Sequence, residues 1–318
     1  MRLQRNKDYS SYIVLGAAVI FVAIFLAYPL LRTIITAFIE KGNPINIQNF
    51  TFKNFYKFWE SSLYLRSLTN SLYISISVVI FTSLIGIPMG YLVARVDFPF
   101  KRLLLSLGIL PIIMPAFVGA FSWIIVLGRQ GAIRVLLSQI GISLPPIYGP
   151  FGIIFSMTMM YYPFVFLLTE GAFETANPTL EESAATMGAR LPRILRTIDL
   201  PLILPSIGAG TILVFIRAID NFGIPAVMGG NTYVLPTLIY FRVNGFWDLN
   251  SAAAISLIIV AITVFALWVQ KHIISKREYE TISASRSKIK MHTHPAVKIV
   301  AAVYCWFIIT VSLLPQIT

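Results

Sequence analysis

The sequence predicts an all-α membrane protein: six spanning helices, a polar two-helix loop between the fourth and fifth, and a seventh span near the carboxyl end. Three observations predict it. First, 57% of the 318 residues are hydrophobic and 12% are charged, whereas a soluble domain carries about a quarter charged residues. Second, apolar runs of about 18 residues or more recur, close to the length that a helix needs to cross the hydrocarbon. Third, basic residues gather in alternate connections between these runs, the pattern of cytoplasmic loops.

The elements follow in chain order. Residues 1–12 are basic, with Arg2, Arg5 and Lys7. Residues 13–31 form the first apolar run. Tyr28, Pro29 and Arg32 close it where a signal peptide would have small residues, so it reads as an uncleaved span with its basic end inside. Residues 40–69 are a polar connection rich in aromatics: Phe50, Phe52, Phe55, Tyr56, Phe58, Trp59 and Tyr64. Such rings favour the headgroup zone, so this connection is expected along the outer surface. The second span, 72–94, is expected to be interrupted at Gly86-Ile87-Pro88. Arg95, Lys101 and Arg102 make the next turn basic. The third span, 103–127, carries Pro111 and Pro115 as kinks. Residues 128–150 read as an outer loop punctuated by Gly141, Pro145, Pro146, Gly149 and Pro150. The fourth span is 151–168, the fifth 203–216 and the sixth 252–269. A second outer connection covers 217–250. A basic linker, 270–295, leads to the last run, 297–314.

Charge sets the orientation and excludes several functions. With the amino terminus inside, the inner segments hold 16 of the 25 basic residues. The net charge of +12 is therefore a topology signal, and nucleic acid is not an expected partner. The single cysteine, Cys305, allows no intrachain disulfide and no cysteine metal cluster. His272, His292 and His294 share one polar linker, so no histidine-held haem sits among the spans. No metal site and no catalytic residue is expected. The chain has no phosphate-binding Gly-x-x-x-x-Gly-Lys-Ser/Thr, no His-Glu-x-x-His and no Gly-x-Ser-x-Gly.

The polar stretch from Asn177 to Pro205 stands between the fourth and fifth spans. Asn177 before Pro178 suits a helix start, with Thr179 and Glu182 offering a competing capping box. Glu181 and Glu182 sit where the positive helix end favours them. Leu180, Ala184 and Met187 recur at helical spacing, and Gly188 suits a left-handed stop. A second helix restarts at Pro192 with Leu191, Ile194, Leu195 and Ile198 as its apolar stripe. Helix, glycine turn, helix makes a knob shaped to dock into a groove on a partner.

This stretch resembles the signature loop of ABC importer permeases, E-A-A, three residues, G, nine residues, I-x-L-P. Glu182, Ser183 and Ala184 stand at the first three positions, Gly188 at the glycine, and Ile198, Asp199, Leu200 and Pro201 at the end. The departure is Ser183, a small residue where the family has alanine. The resemblance covers about residues 10–275 and implies a six-helix transmembrane domain. It implies two cytoplasmic ATPase subunits that dock on the loop, a second permease domain, and an external substrate-binding protein. It implies that ATP and magnesium belong to the partners, with no cofactor on this chain. The coupling contact would be Glu181, Glu182, Ser183, Ala184, Ala185, Gly188, Ile198, Leu200 and Pro201. The setting implied is a multi-pass protein of the bacterial inner membrane, its amino terminus cytoplasmic and its spans in contact with lipid.

Residues 220–230 resemble the D-F-G-x-P-x-x-L-G-G stretch of iron(III)-type permeases. Asp220, Phe222, Gly223, Pro225, Gly229 and Gly230 match, and Asn221 is a departure. Leu235 to Arg242 resembles the short outer helix that follows. Iron(III) is the expected cargo; spermidine/putrescine, thiamine and phosphonate importers share parts of this region. The expected domains are a permease domain over 1–275, a basic cytoplasmic linker over 276–296, and a seventh span over 297–318. Iron-type permeases often fuse two domains, and the last run repeats the apolar-run-then-proline pattern of the opening. It is read as the start of a second, truncated permease domain. The rival class is an ion-coupled secondary transporter, which needs acids near the midplane. Asp97, Glu170, Glu174, Asp220 and Asp248 instead stand in loops or near span ends.

Overall fold

The structure, a computed structural model, describes residues 9–175, 178–274 and 294–317. Its helices, in order, are α1 (Tyr9–Val22), α2 (Tyr28–Ala37), α3 (Lys53–Glu60), α4 (Ser62–Arg95) and α5 (Lys101–Ile113). Next come α6 (Ala116–Leu127), α7 (Ala132–Gln139), α8 (Pro150–Thr175), α9 (Pro178–Thr186) and α10 (Leu191–Ile194). The chain continues through α11 (Leu200–Ile219), α12 (Gly223–Met228), α13 (Leu235–Asn244), α14 (Leu249–Val269) and α15 (Pro295–Ile317). Among the described residues, 7 helices are long and apolar enough to cross a membrane. The chain divides into two compact units, Met1–Leu65 with Leu238–Ile258, and Arg66–Thr237 with Ile259–Thr318.

Two spans pass a proline by the same device. A π-helical turn, Ala23–Ala27, joins α1 to α2, and the Tyr28 N–H reaches back to the Ala23 carbonyl. A second, Leu195–Asp199, joins α10 to α11, and the Leu200 N–H reaches Leu195. Pro29 and Pro201 come next in each case. Proline offers no N–H and crowds the carbonyl four residues back. One extra residue in the preceding turn lets each helix continue through it.

In the first unit the buried carboxyl end of α2 is satisfied by two asparagines. Asn54 Nδ2 donates to the carbonyls of Ala37 and Ile39 at 2.9 and 2.8 Å. Asn250 Nδ2 donates to Thr36 and Ile39 at 3.1 and 2.8 Å. Helix ends leave carbonyls that need such donors. The connection expected to lie along the surface divides its aromatics. Phe58 and Tyr64 are buried; Phe50, Phe52, Tyr56 and Trp59 are exposed. Helix α3 does this sorting, since Asn54 and Phe58 share one face at a spacing of four.

In the second unit α8 is central, with 61% of its apolar window inside. The expected interruption at Gly86-Ile87-Pro88 does not occur, because α4 runs through it unbroken. The glycines serve packing. A Cβ on Gly86 would lie 2.9 Å from Phe166 N, and one on Gly90 2.8 Å from Thr169 Cβ. Only glycine lets the α4 and α8 backbones approach this closely. On the other side of α8, Gly210 of α11 comes as close, its would-be Cβ 3.1 Å from Val165 Cα.

The third span differs most from expectation. It breaks at Met114-Pro115, where both residues are extended, with ψ 133 and 134. The residue before a proline is pushed out of the helical region, so a break replaces the expected kink. The loop expected over 128–150 contains α7, held by Arg134, which donates to the carbonyls of Leu144, Pro145 and Leu127. Helix α15 packs into this unit through Ala301, Cys305, Ile308 and Ile309. Tyr162 Oη lies 3.1 Å from Ser312 Oγ, and Tyr304 Oη donates to the Ile85 carbonyl at 3.1 Å.

Candidate functional site

The loop between α8 and α11 is built around one glycine. Gly188 has φ +83. Its N–H donates to the Ala185 carbonyl at 2.9 Å, and the Ala189 N–H donates to Ala184 at 3.0 Å. Those two bonds, with a left-handed residue between them, are the Schellman ending of a helix. Helix α9 therefore stops where the sequence places its glycine, and α10 restarts at once. The expected cap Asn177 lies outside the described residues, as do the side chains of Thr179 and Glu182.

Burial divides the loop into an anchored face and a free one. Glu181, Ala184, Ile194 and Asp199 are buried. Leu180 is 49% exposed and Met187 82%. Ser183, Ala185, Gly188, Arg190, Arg193 and Arg196 are also exposed. The single apolar face expected of Leu180, Ala184 and Met187 is split. Ala184 points into the protein, while Leu180, Met187 and the three arginines are exposed. Of the second helix's stripe, Ile194 is buried, and Leu195 and Ile198 are half-buried. Leu200 is 45% exposed and Pro201 half-buried.

A charged cluster holds the anchored face. Arg95, the last residue of α4, donates from Nη2 to Glu181 Oε1, and both side chains are 7% exposed. The Arg95 guanidinium lies 5.4 Å from the centre of the Phe173 ring, which meets Tyr91 edge-on at 5.3 Å. Asp199, at the end of the π-helical turn, adds its carboxyl beside Arg95 and Glu181. Removing one partner of such a buried pair leaves an uncompensated charge, which costs about 3–5 kcal/mol. Glu181 thus faces the interior of its own chain.

The second candidate segment, 220–230, holds the tight turn after α11, all of α12 and the turn that follows it. Asn221 organises it. Its Oδ1 accepts from the Ile224 N–H at 2.9 Å and its Nδ2 donates to Tyr161 Oη at 2.6 Å. The residue that departs from the family pattern therefore caps α12 and ties it to α8. Gly223 sits against α6, where a Cβ would meet Phe117 N at 3.0 Å. Pro225 is buried, Phe222 is 39% exposed, and Gly230 turns the chain with φ +57. The Thr232 N–H closes that turn on Gly229 at 2.9 Å. Asp220 keeps contact with solvent. Crowding by the surrounding protein raises its carboxyl above the ordinary range, and Arg217 acts in the opposite direction.

Arg95, Asp199 and Tyr161 were not legible as site residues in the sequence. Arg95 looks like one more basic residue in an inner turn. Its signal is a charge placed directly at the end of an apolar run. Asp199 occupies the variable position of I-x-L-P, so its spacing carries no message.

The family described as "Binding-protein-dependent transport system inner membrane component" matches residues 86–279. The putative ferric transport system permease protein FbpB 1 of Haemophilus influenzae is 27% identical over 268 residues, 83% of this chain. The chain spans only 42% of that relative's length. The molybdenum transport system permease protein ModB of Mycobacterium bovis is 32% identical over 58% of this chain and 70% of its own. The spermidine/putrescine transport system permease protein PotB of H. influenzae is 27% identical over 80% and 91%. Among solved structures, a bacterial alginate ABC transporter in complex with its pentasaccharide-bound periplasmic protein matches with a TM-score of 0.67 at 20% identity. That match covers 84% of this chain and 96% of the other and shows the fold. This chain belongs to the inner-membrane components of binding-protein-dependent transport systems, the permease subunits of ABC importers.

Proposed function

We propose that the exposed face of residues 178–201 is the cytoplasmic contact through which ATPase subunits drive this permease, and that its cargo is iron(III). One observation carries the first part. One face of the loop around the Gly188 reversal is held in the protein, and Leu180, Met187, Arg190, Arg193 and Arg196 are left exposed. An apolar side chain 82% exposed on a short, anchored knob suits a groove on a partner. On this reading the amino terminus and the loop are both cytoplasmic. ATP and magnesium are bound by two ATPase subunits, and this chain holds no cofactor and carries out no catalysis. An external binding protein delivers the cargo, and a second permease domain completes the path. The ferric relative, aligned over 83% of the chain, and the 220–230 stretch support iron.

The test is reconstitution in proteoliposomes with the ATPase and binding protein. Iron(III), molybdate, spermidine, thiamine and phosphonate are offered separately. Iron uptake should require ATP and stop with an inactivated ATPase. Uptake that survives an inactive ATPase but collapses with the proton gradient refutes the coupling. ATP-driven uptake of another cargo, with none of iron, refutes only the cargo.

A further inference from the structure

We propose that Arg95 is a positioning residue that passes movement of α9 into the spanning helix α4 through its buried pair with Glu181. The inference rests on reading 178–201 as the ATPase contact. Four observations carry it. Arg95 ends α4 and Glu181 lies in α9, so the bond joins two elements 86 residues apart in sequence. Both side chains are 7% exposed, so solvent does not screen the pair. The guanidinium is held from a third side by Phe173 of α8, and Asp199 places a second carboxyl there from the foot of α11. The cation that ends α4 thus pairs with the loop helix and lies over a ring of α8, and the Asp199 carboxyl at the foot of α11 acts on it electrostatically.

The mechanical consequence follows from α4 and the close contact it makes. It is one unbroken helix of 34 residues, about 50 Å long. Its Gly86 and Gly90 lie on the α8 backbone with no room for a methyl group. A displacement of α9 that drags Arg95 cannot be taken up by sliding at that contact; it tilts α4 together with α8. Fold stability alone gives little reason for the pair, since a buried ion pair is often no more stabilising than apolar residues of the same volume. A tether that must hold α9 to α4 while α9 moves does need a strong, directional bond.

The experiment uses the transporter reconstituted with its ATPase and iron(III)-loaded binding protein. It compares wild type, Arg95→Met, Glu181→Gln and the exchanged pair Arg95→Glu with Glu181→Arg. Two quantities are read: ATPase co-purifying with the chain, and iron transported per ATP hydrolysed. The expected result is that both single variants keep the ATPase and hydrolyse ATP, while iron transported per ATP falls roughly tenfold. The exchanged pair recovers much of that ratio, which a residue needed only for folding would not show. An unchanged ratio in the single variants overturns the inference. So does loss of the ATPase from both single variants without recovery in the exchanged pair, because the bond then only shapes the loop. If Arg95→Met fails to accumulate, Arg95→Lys and Glu181→Asp take its place, and an unchanged ratio in those overturns it equally. A wild-type chain that binds no ATPase refutes the reading of the loop itself.

Discussion

Replacing Gly188 separates backbone strain from steric conflict. The residue sits at φ +83, and a Cβ added there meets nothing within 4 Å. The whole cost of Gly188→Ala is therefore conformational, about 1–2 kcal/mol for an L-residue in the left-handed region. That energy falls on one local element, the two-bond ending at Ala184 and Ala185. It lowers the ratio of ordered to disordered loop by a factor of roughly 5–30, and apparent ATPase affinity falls by at most that factor. Asparagine tolerates the left-handed region better, so Gly188→Asn should lose less. Valine, branched at Cβ, should lose more. The assay is a titration of fluorescently labelled ATPase against the detergent-solubilised chain. A loss above roughly 30-fold for the alanine variant, or equal losses for asparagine and valine, would overturn a purely conformational cost.

Other expectations follow from the same geometry. Gly90→Val places carbon 2.8–2.9 Å from Thr169 Cβ, Glu170 N and Phe166 O; overpacking of this kind costs about 1–3 kcal/mol, read as a lower melting midpoint in detergent. Asn221→Ala removes the acceptor of the Ile224 N–H and one donor to the Tyr161 hydroxyl, which keeps its bond to the Arg217 carbonyl. An unsatisfied buried group costs about 1–3 kcal/mol, and hydrogen exchange at residues 222–228 should rise while that of α9 stays unchanged. Glu40 is held below its ordinary range by its hydrogen bond to Lys53 at 3.0 Å, with Lys57 adding to the effect. A lowered carboxyl contributes stability above its unfolded pKa and loses it as pH falls through the folded value. The difference in melting midpoint between wild type and Glu40→Gln should be present at neutral pH and vanish in strong acid.

The spans were legible because apolar runs of their length have few other uses, and the loop was legible because its signature has fixed spacing. What stayed hidden was three-dimensional. Gly86 and Pro88 look like a break when read along the chain. Across the chain, Gly86 is a contact with α8, and α4 carries Pro88 without interruption. The two prolines near 111–115 look alike, yet Pro111 stays inside α5 while Pro115 starts a new helix. Helix α7 was lost among the turn residues around it. Glu181 and Glu182 are neighbours of one type, and helical geometry alone decides that Glu181 turns inward toward Arg95. No local pattern announces a bond between residues 95 and 181, since neither residue's neighbours encode the other.

The central claim is that the exposed face of this loop meets an ATPase, and Met187 is the residue placed to report it. It is 82% exposed, and the chain's only cysteine, Cys305, is 0% exposed. Met187→Cys therefore offers a thiol that a short bifunctional reagent reaches in preference to the buried one. In membranes containing the assembled transporter, a cross-link from position 187 to an ATPase subunit is expected. A cysteine at Tyr56, in the connection after the first span and 67% exposed, should give no such product. Cross-linking of the ATPase from position 56, with none from position 187, would place the ATPase contact away from this loop.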